Sequence, residues 1–283
     1  MPLLTTSRGP AHWIESAAED AAPAVLLLHG LGGDAAFWSA ELAALGGRFR
    51  VLAVDLRGSG RTPGSAAPFS IEDLAEDVLA VLDQARVESA HVVGFSMGGT
   101  VAQALAAAAP TRVRSLVLAA TFARMSTQAR LFLRAVASVY QADATPKQMF
   151  ELILPWLFSE DFLGGPHVAP YLDYPEDAAG EQSRHDWLAL LEALLAFDGH
   201  AALQAIQAPT LVLHGDQDRL ASGQDGAGAG AWHPWRGAVR AGRRAPVQCR
   251  TPCGVSGSPG RILPRDRCRG GPDTGAGGMN RFL

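Results

Sequence analysis

The feature that most constrains the fold of this chain is a glycine-serine-glycine motif. Gly94-x-Ser96-x-Gly98 separates an apolar run, Val92–Val93, from a helical run that begins at Val101. A serine on so sharp a strand-to-helix turn has a strained backbone and an exposed side chain. Small residues are needed two positions before and after it, because a side chain there would strike the neighbouring strand or helix. A glycine-rich turn that carries a serine by chance is the alternative.

Composition excludes several classes of protein. With 283 residues, of which 48% are hydrophobic, we expect one large domain with an insertion and a buried core. No run of 18 or more apolar residues occurs, so no membrane span is predicted. Residues 1–10 do not resemble a secretory signal, and we expect a cytoplasmic protein. A net charge of −4 gives no reason to expect nucleic acid as a partner.

Apolar runs and helical patterns alternate along the first part of the chain. Ala24–Leu28 is unbroken and apolar, which is typical of a strand buried on both faces of a parallel sheet. The predicted strands cover 12–15, 24–28, 49–56, the run before Ser96 and 113–119, and the predicted helices cover 35–45, 70–85 and 101–109. This alternation predicts an α/β fold with a doubly wound, mainly parallel sheet.

Three helical patterns then follow without a strand between them, over 126–141, 145–158 and 183–197. They predict an inserted helical cap, in which Pro155 should bend or end the second helix. Residues 209–215 restore the buried-strand pattern. We therefore expect four regions: a core from 1 to 122, a cap from 123 to 204, a continued core from 205 to 222, and an irregular tail from 223 to 283.

Three predicted strands end in polar or glycine-rich residues, namely His29-Gly30, Ser96 and Asp218. In open parallel sheets, active groups gather beyond the carboxyl ends of the strands. A serine becomes a good nucleophile when an imidazole oriented by a carboxylate takes its proton. The N–H groups of Met97 and Leu31 are the candidate donors of an oxyanion hole.

Four segments together resemble the α/β-hydrolase family, in the order in which that family carries them. They are Leu28-His29-Gly30-Leu31-Gly32-Gly33, Asp55-Leu56-Arg57-Gly58-Ser59-Gly60, Gly94-Phe95-Ser96-Met97-Gly98-Gly99 and His214-Gly215-Asp216-Gln217-Asp218. The resemblance implies Ser96 as the nucleophile and Asp218 as the acid, which the family places in a Gly-x-x-Asp pattern. The cap resembles those of small-molecule esterases and enol-lactone hydrolases. A serine nucleophile argues against the aspartate-dependent dehalogenase and epoxide-hydrolase branches.

The base is harder to assign. The resemblance implies a histidine in a Gly-His-like turn, some 25 to 30 residues after Asp218, and no such motif is present. His233 is the only histidine after Asp218, but it comes too early and lacks a preceding strand. We name it as the candidate base and interpret His29 and His214 as structural. The other histidines are interpreted as surface, strand or cap residues: His12, His91, His167, His185 and His200.

The composition changes abruptly near residue 222. Residues 223–283 hold ten arginines against three aspartates, all three cysteines and 14 of the 31 glycines. We predict that the last strand and its covering helix are missing. One hypothesis is that the tail is translated in a shifted reading frame. A one-base shift makes the Trp232/His233 and Trp235/Arg236 junctions glycine codons and admits a histidine spanning Ala245/Pro246.

Two other interpretations of the tail remain open. It fits a flexible basic extension, rich in glycine and proline. A metal site built from Cys249, Cys253 and Cys268 is a weak alternative, because the spacing is not a specific one. We expect no bound metal.

The resemblance implies hydrolysis of a small carboxylic ester or lactone through an acyl-serine intermediate, without a cofactor. Loss of the base predicts a weak or inactive enzyme. Two competing hypotheses are a sensor that keeps the pocket with little turnover, and a non-functional product of a damaged gene.

Overall fold

The computed structural model describes residues 3–17, 22–166, 168–169, 182–215, 217–221 and 238–241. The strands are β1 Leu4–Thr6, β2 Gly9–Ala11, β3 Trp13–Glu15, β4 Ala24–Leu28, β5 Arg50–Val54, β6 Ala90–Phe95, β7 Val113–Ala119, β8 Thr210–Gly215 and β9 Ala238–Ala241. The helices are α1 Ser39–Leu45, α2 Ile71–Gln84, α3 Met97–Ala108, α4 Thr127–Gln141, α5 Pro146–Leu157, α6 Glu160–Leu163, α7 Arg184–Ala196 and α8 His200–Leu203. Of the helices described, none combines the length and apolarity that crossing a bilayer requires.

The central sheet is mainly parallel, as the alternation of patterns predicts. Its strand order is β3-β5-β4-β6-β7-β8-β9, with β3 antiparallel to β5 and the other pairs parallel. The hairpin of β1 and β2 forms a separate two-stranded sheet, which the sequence patterns do not predict. The sheet order brings the carboxyl ends of β4, β6, β7 and β8 to one edge.

Strand β4 explains why the sheet is covered on both faces. Leu26 and Leu28 belong to the cluster that includes α2 and α3. Val25 and Leu27 pack in a second cluster with Trp38, on the opposite face. All five residues of this strand are buried. Burying one such side chain stabilises the fold by roughly 1.5–3 kcal/mol, so an unbroken apolar run is required here.

Helix starts follow local side-chain chemistry. Ser70 accepts the N–H of Asp73, and Asp73 accepts the N–H of Ser70, which completes a capping box at α2. Asp34 accepts the N–H of Ala36, as the cap predicted for the helix at 35–45. The first turn there is a 3₁₀ segment, Ala35–Trp38, so the predicted helix is divided in two.

The connection from β7 to β8 contains α4 to α8, and α7 is the helix predicted at 183–197. Helix α5 continues through Pro155 and ends two residues later, at Leu157. The short helices α6 and α8 were not predicted. The boundaries of core, cap and tail given above remain predictions.

The prediction that the last strand is missing is wrong. Ala238–Ala241 forms β9 and pairs in parallel with β8, from Val212↔Ala238 to Gly215↔Ala241. The outer edge of β8 presents N–H and C=O groups that need partners, and a ladder requires only extended backbone. An Ala-Val-Arg-Ala segment can therefore fill the position. The predicted loss of the covering helix concerns residues outside the described part of the chain.

Candidate active site

Ser96 lies at the junction of β6 and α3. Its backbone has φ +51° and ψ −118°, in the region that L-residues rarely adopt. Its N–H donates to the carbonyl oxygen of Ala119 at 2.9 Å, and the Thr121 hydroxyl donates to the Ser96 carbonyl oxygen at 2.7 Å. Such a conformation costs roughly 1–3 kcal/mol and is held by its surroundings. The strained turn predicted from the motif is present.

The two flanking glycines are required by packing, as predicted. A Cβ on Gly94 would lie 2.6 Å from the Cα of Gly99, inside α3. A Cβ on Gly98 would lie 2.6 Å from the carbonyl oxygen of His29 and would also overlap that of Leu28, at the end of β4. The helix therefore starts in close contact with the strand beside it.

The loop after β4 packs directly against the serine. A Cβ on Gly30 would lie 3.3 Å from the Cβ of Ser96. The N–H of Gly33 donates to the carbonyl oxygen of Gly30 at 3.1 Å, which closes the loop into a turn. Leu31 lies within this turn, and Met97 is the first residue of α3. Both proposed oxyanion donors thus belong to segments in contact with Ser96.

His29 has the contacts of a structural residue. Its Nδ1 lies 2.8 Å from the carbonyl oxygen of Gly30, so Nδ1 carries the proton and donates. Its Nε2 accepts the N–H of Leu56 at 3.1 Å. The ring is fully buried, and this burial lowers the pKa of His29 below its ordinary value. Both ring nitrogens are occupied, so His29 orders the loop and does not serve as a base.

Asp55 connects this loop to the next one. Its Oδ1 accepts the N–H of Ala35 at 2.7 Å, and its Oδ2 accepts that of Arg61 at 2.8 Å. Its Oδ2 also lies 2.6 Å from Nδ1 of His12. Sequence reasoning did not assign a role to this carboxylate, although the motif at 55–60 contains it. The contacts make it a buried link between three segments at the sheet edge.

Asp218 follows β8, at the same edge of the sheet as Ser96. Its Oδ1 accepts the N–H groups of Leu220 at 3.0 Å and Ala221 at 2.8 Å. His214 lies in β8, and its Nδ1 is 3.1 Å from the carbonyl oxygen of Ala221. The strand therefore holds the turn that carries the carboxylate. This is a structural contact for His214, in line with its interpretation above.

Hydrogen bonds join the strand ends that carry Ser96 and Asp218. Ser96 is bonded to Ala119 at the end of β7, and the N–H of Ala120 donates to the carbonyl oxygen of Leu213 in β8 at 2.8 Å. Only β7 lies between β6 and β8, so their axes are about 10 Å apart. A triad requires an imidazole between the serine and the carboxylate. His233 lies outside the described residues, and its role as that imidazole stays a prediction.

The cap approaches this edge through α7. Nε2 of Gln182 donates to the carbonyl oxygen of Gly58 at 2.6 Å and lies 2.8 Å from the Ser59 hydroxyl. Nε1 of Trp187 lies 3.6 Å from the position that a Cβ on Gly32 would occupy. Neither Gln182 nor Trp187 was named as a site residue from the sequence. Periodicity places Trp187 in a helix but does not show which loop it meets.

The apolar residues of the cap helices differ in exposure. Leu131 is 63% exposed, whereas Leu154 is buried. The ring of Phe132 stacks on that of Trp156 with centroids 4.1 Å apart. Among the described residues, no group of three histidine, cysteine or acidic side chains could hold a metal ion. The three cysteines lie outside the described part of the chain.

Comparison with known proteins identifies the class. The model of the alpha/beta hydrolase fold family matches residues 23–234, and the chain belongs to that family. The chain is therefore a hydrolase.

Several of the similar proteins are named as hydrolases. A protein named "Putative carbamate hydrolase RutD" from Variovorax paradoxus is 36% identical over 224 residues, covering 78% of this chain and 80% of the relative. A RutD protein of the same name from Azorhizobium caulinodans is 35% identical over 212 residues, covering 69% and 74%. The enol-lactonase from Burkholderia xenovorans has a TM-score of 0.73 at 26% identity, covering 84% of this chain and 90% of that structure.

Proposed function

We propose that this chain is built as a serine hydrolase of small carboxylic esters or lactones, with an acyl-enzyme formed on Ser96. The observation that carries the proposal is the backbone of Ser96, at φ +51° between β6 and α3. A packed structure maintains such strain where a side chain must be presented. The contact between Gly30 and Ser96 places a loop of backbone N–H groups beside it.

The chemistry follows from this placement. The hydroxyl oxygen of Ser96 attacks the acyl carbon as a base removes the hydroxyl proton. The N–H groups of Leu31 and Met97 stabilise the negative oxygen, and loss of one such donor typically costs about 100- to 1000-fold in rate. The ester C–O bond then breaks, and the alcohol leaves with the proton. Water attacks the acyl-serine in the same way and releases the carboxylic acid.

We propose that Asp218 orients the base and that the base is deficient in this chain. The motif expected after Asp218 is absent, and His233 is the one candidate in the sequence. Removing the histidine of such a triad reduces turnover by several powers of ten. The chain as written is therefore a weak or inactive hydrolase, and a sensor with little turnover is the competing function.

The relatives named as carbamate hydrolases favour a second substrate class. A carbamate carbonyl is attacked in the same way as an ester carbonyl. It is less electrophilic because its nitrogen donates electron density. Esters and lactones therefore remain the first choice, and carbamates belong in the same substrate panel.

Labelling with a fluorophosphonate probe tests the proposal. We expect slow labelling of the chain as written and none of Ser96→Ala. Ser138→Ala, in which an exposed serine of α4 is removed, is the matched control and should be labelled as the parent is. Labelling that persists in Ser96→Ala would contradict an acyl-enzyme formed on Ser96. Ordinary turnover of esters, lost in Ser96→Ala, would contradict the proposed loss of the base.

A further inference from the structure

Trp187 connects the cap to the loop beside Ser96. It lies in the first turns of α7 and is half-buried, in contact with both the main core and a cap cluster. Its ring meets that of Tyr140 edge-on, with centroids 5.4 Å apart. The ring is therefore held from the cap side.

The polar edge of this ring points at the loop after β4, which contains Leu31 and Gly32. Nε1 and Cδ1 of Trp187 lie 3.6 and 3.9 Å from the Cβ position of Gly32. Gly32 has φ +80° and directly follows Leu31. Within the described part of the chain, no acceptor is bonded to this indole N–H. Since Trp187 is half-buried, this N–H is available to a ligand.

The start of helix α7 is fixed in place by contacts with a second loop, at residues 58–64. Asp186 accepts from its own helix cap, Ser183, at 2.6 Å. A Cβ on Gly64 would overlap the Asp186 carboxylate, and one on Gly58 would lie 3.0 Å from the Asp186 Cβ. With the hydrogen bonds of Gln182 nearby, these contacts hold the cap on the 58–64 loop. The indole is pre-organised, so a ligand need not order it.

We propose that Trp187 determines substrate specificity by donating its indole N–H to a second oxygen on the acyl group. The favoured acyl groups carry a ketone, ester or carboxylate oxygen a few bonds from the scissile carbonyl. Gly30 contacts Ser96 and Gly32 contacts Trp187, so one short loop lies against both the nucleophile and the indole ring. This inference rests on the proposed function, since it assigns the pocket at Ser96 to an acyl compound.

Two matched esters test this inference in the Ser96→Ala variant, which cannot hydrolyse them. Methyl 4-oxopentanoate and methyl 4-methylpentanoate differ at carbon 4. The first has a carbonyl oxygen there, and the second has a methyl group and a hydrogen. Titrated into Ser96→Ala, the oxo ester should bind about 3- to 10-fold more tightly, the range of one neutral hydrogen bond. The indole N–H resonance of Trp187, assigned by its loss in W187F, should shift downfield with the oxo ester alone.

Two further variants in the Ser96→Ala background show whether the preference depends on Trp187 itself. W187F should bind both esters equally, and W156F, with the same change elsewhere in the cap, should keep the preference. Three results would overturn the role of Trp187. They are equal binding of the two esters by Ser96→Ala with Trp187 intact, a preference for the oxo ester that survives W187F, and binding of neither ester. None of these results bears on the activated serine, which fluorophosphonate labelling of the parent chain reports separately.

Discussion

At the scale of single residues, the site depends on side chains that hold its loops in place. His29 is the clearest case, because its ring joins the loop after β4 to the segment after β5 through two backbone hydrogen bonds. The Nδ1-protonated neutral ring satisfies both bonds. A second proton on Nε2 would remove the acceptor used by Leu56 and place a charge in the core.

Folding stability should therefore decrease in acid. Burial lowers the pKa of His29 when the chain is folded, so below an ordinary value of 6.5 the unfolded chain binds a proton that the folded chain excludes. The free energy of unfolding then falls by up to about 1.4 kcal/mol per pH unit. Urea unfolding at pH 7.5 and 5.5 should show a smaller difference for His29→Gln, which keeps an acceptor but does not titrate.

His185→Gln is the control for the pH experiment, since this side chain lies exposed on α7. It should leave the pH dependence of stability as it is in the parent. A pH dependence of His29→Gln equal to that of the parent would show that the ring is not the source.

Gly98→Ala should destabilise the chain because the new methyl group meets backbone atoms. The carbonyl oxygens of Leu28 and His29 cannot move without disturbing β4, which lies in the interior of the sheet. Overpacking of this kind costs about 1–3 kcal/mol. Gly47→Ala is the matched control, since its Cβ would meet nothing within 4 Å. Thermal unfolding measures both, and equal melting temperatures for the two variants would refute the packing argument.

At the scale of elements, the helices start where their side chains cap them. Ser70, Ser126, Thr145 and Ser183 each accept an N–H three residues later, at the starts of α2, α4, α5 and α7. These starts can be predicted because the cap and its target lie within one turn of chain. The cap helices α4, α5 and α7 are accurate predictions for this reason.

Ser70→Ala should lower the free energy of unfolding by about 1 kcal/mol, through loss of the capping box at α2. Ser138→Ala makes the same chemical change inside α4, where the hydroxyl bonds to the carbonyl oxygen of Arg134. That variant should be neutral or slightly stabilising, since alanine favours helix interiors. Urea unfolding gives both values, and a larger loss for Ser138→Ala would contradict the capping argument.

At the scale of the whole molecule, the tail is the unusual part. β9 occupies the sheet edge beside β8, while the segments before and after it have the basic, glycine-rich composition of a shifted frame. We keep the frameshift as a hypothesis, because a four-residue strand can form from many sequences.

Restoring the reading frame near codon 221 should raise fluorophosphonate labelling and ester turnover by several powers of ten. The reason is that the shifted frame admits a histidine positioned to act as the base. Expression of the parent and repaired genes side by side, each with its Ser96→Ala variant, provides the measurement. If no one-base change near that codon opens a long frame with such a histidine, the hypothesis fails.

Local chemistry in the sequence determined most of the architecture. The run Ala24–Leu28 matches β4 residue for residue, because a strand buried on both faces needs an unbroken apolar stretch. The Gly-x-Ser-x-Gly motif likewise predicts the strained turn at Ser96, although the neighbours that require Gly98 are the carbonyl oxygens of Leu28 and His29 in another strand. The hairpin of β1 and β2 was missed because such short strands carry little periodicity.

Contacts between distant segments were decided only by the tertiary structure. Asp55 bonding to Ala35 and Arg61, Gln182 reaching Gly58, and Trp187 lying beside Gly32 join residues whose spacing in the sequence has no fixed relation to their distance in space. The same holds for β9, whose pairing depends on an open sheet edge and hardly on its own residues. A sequence encodes turns and caps over a few bonds, whereas the neighbours of a side chain depend on how whole elements pack.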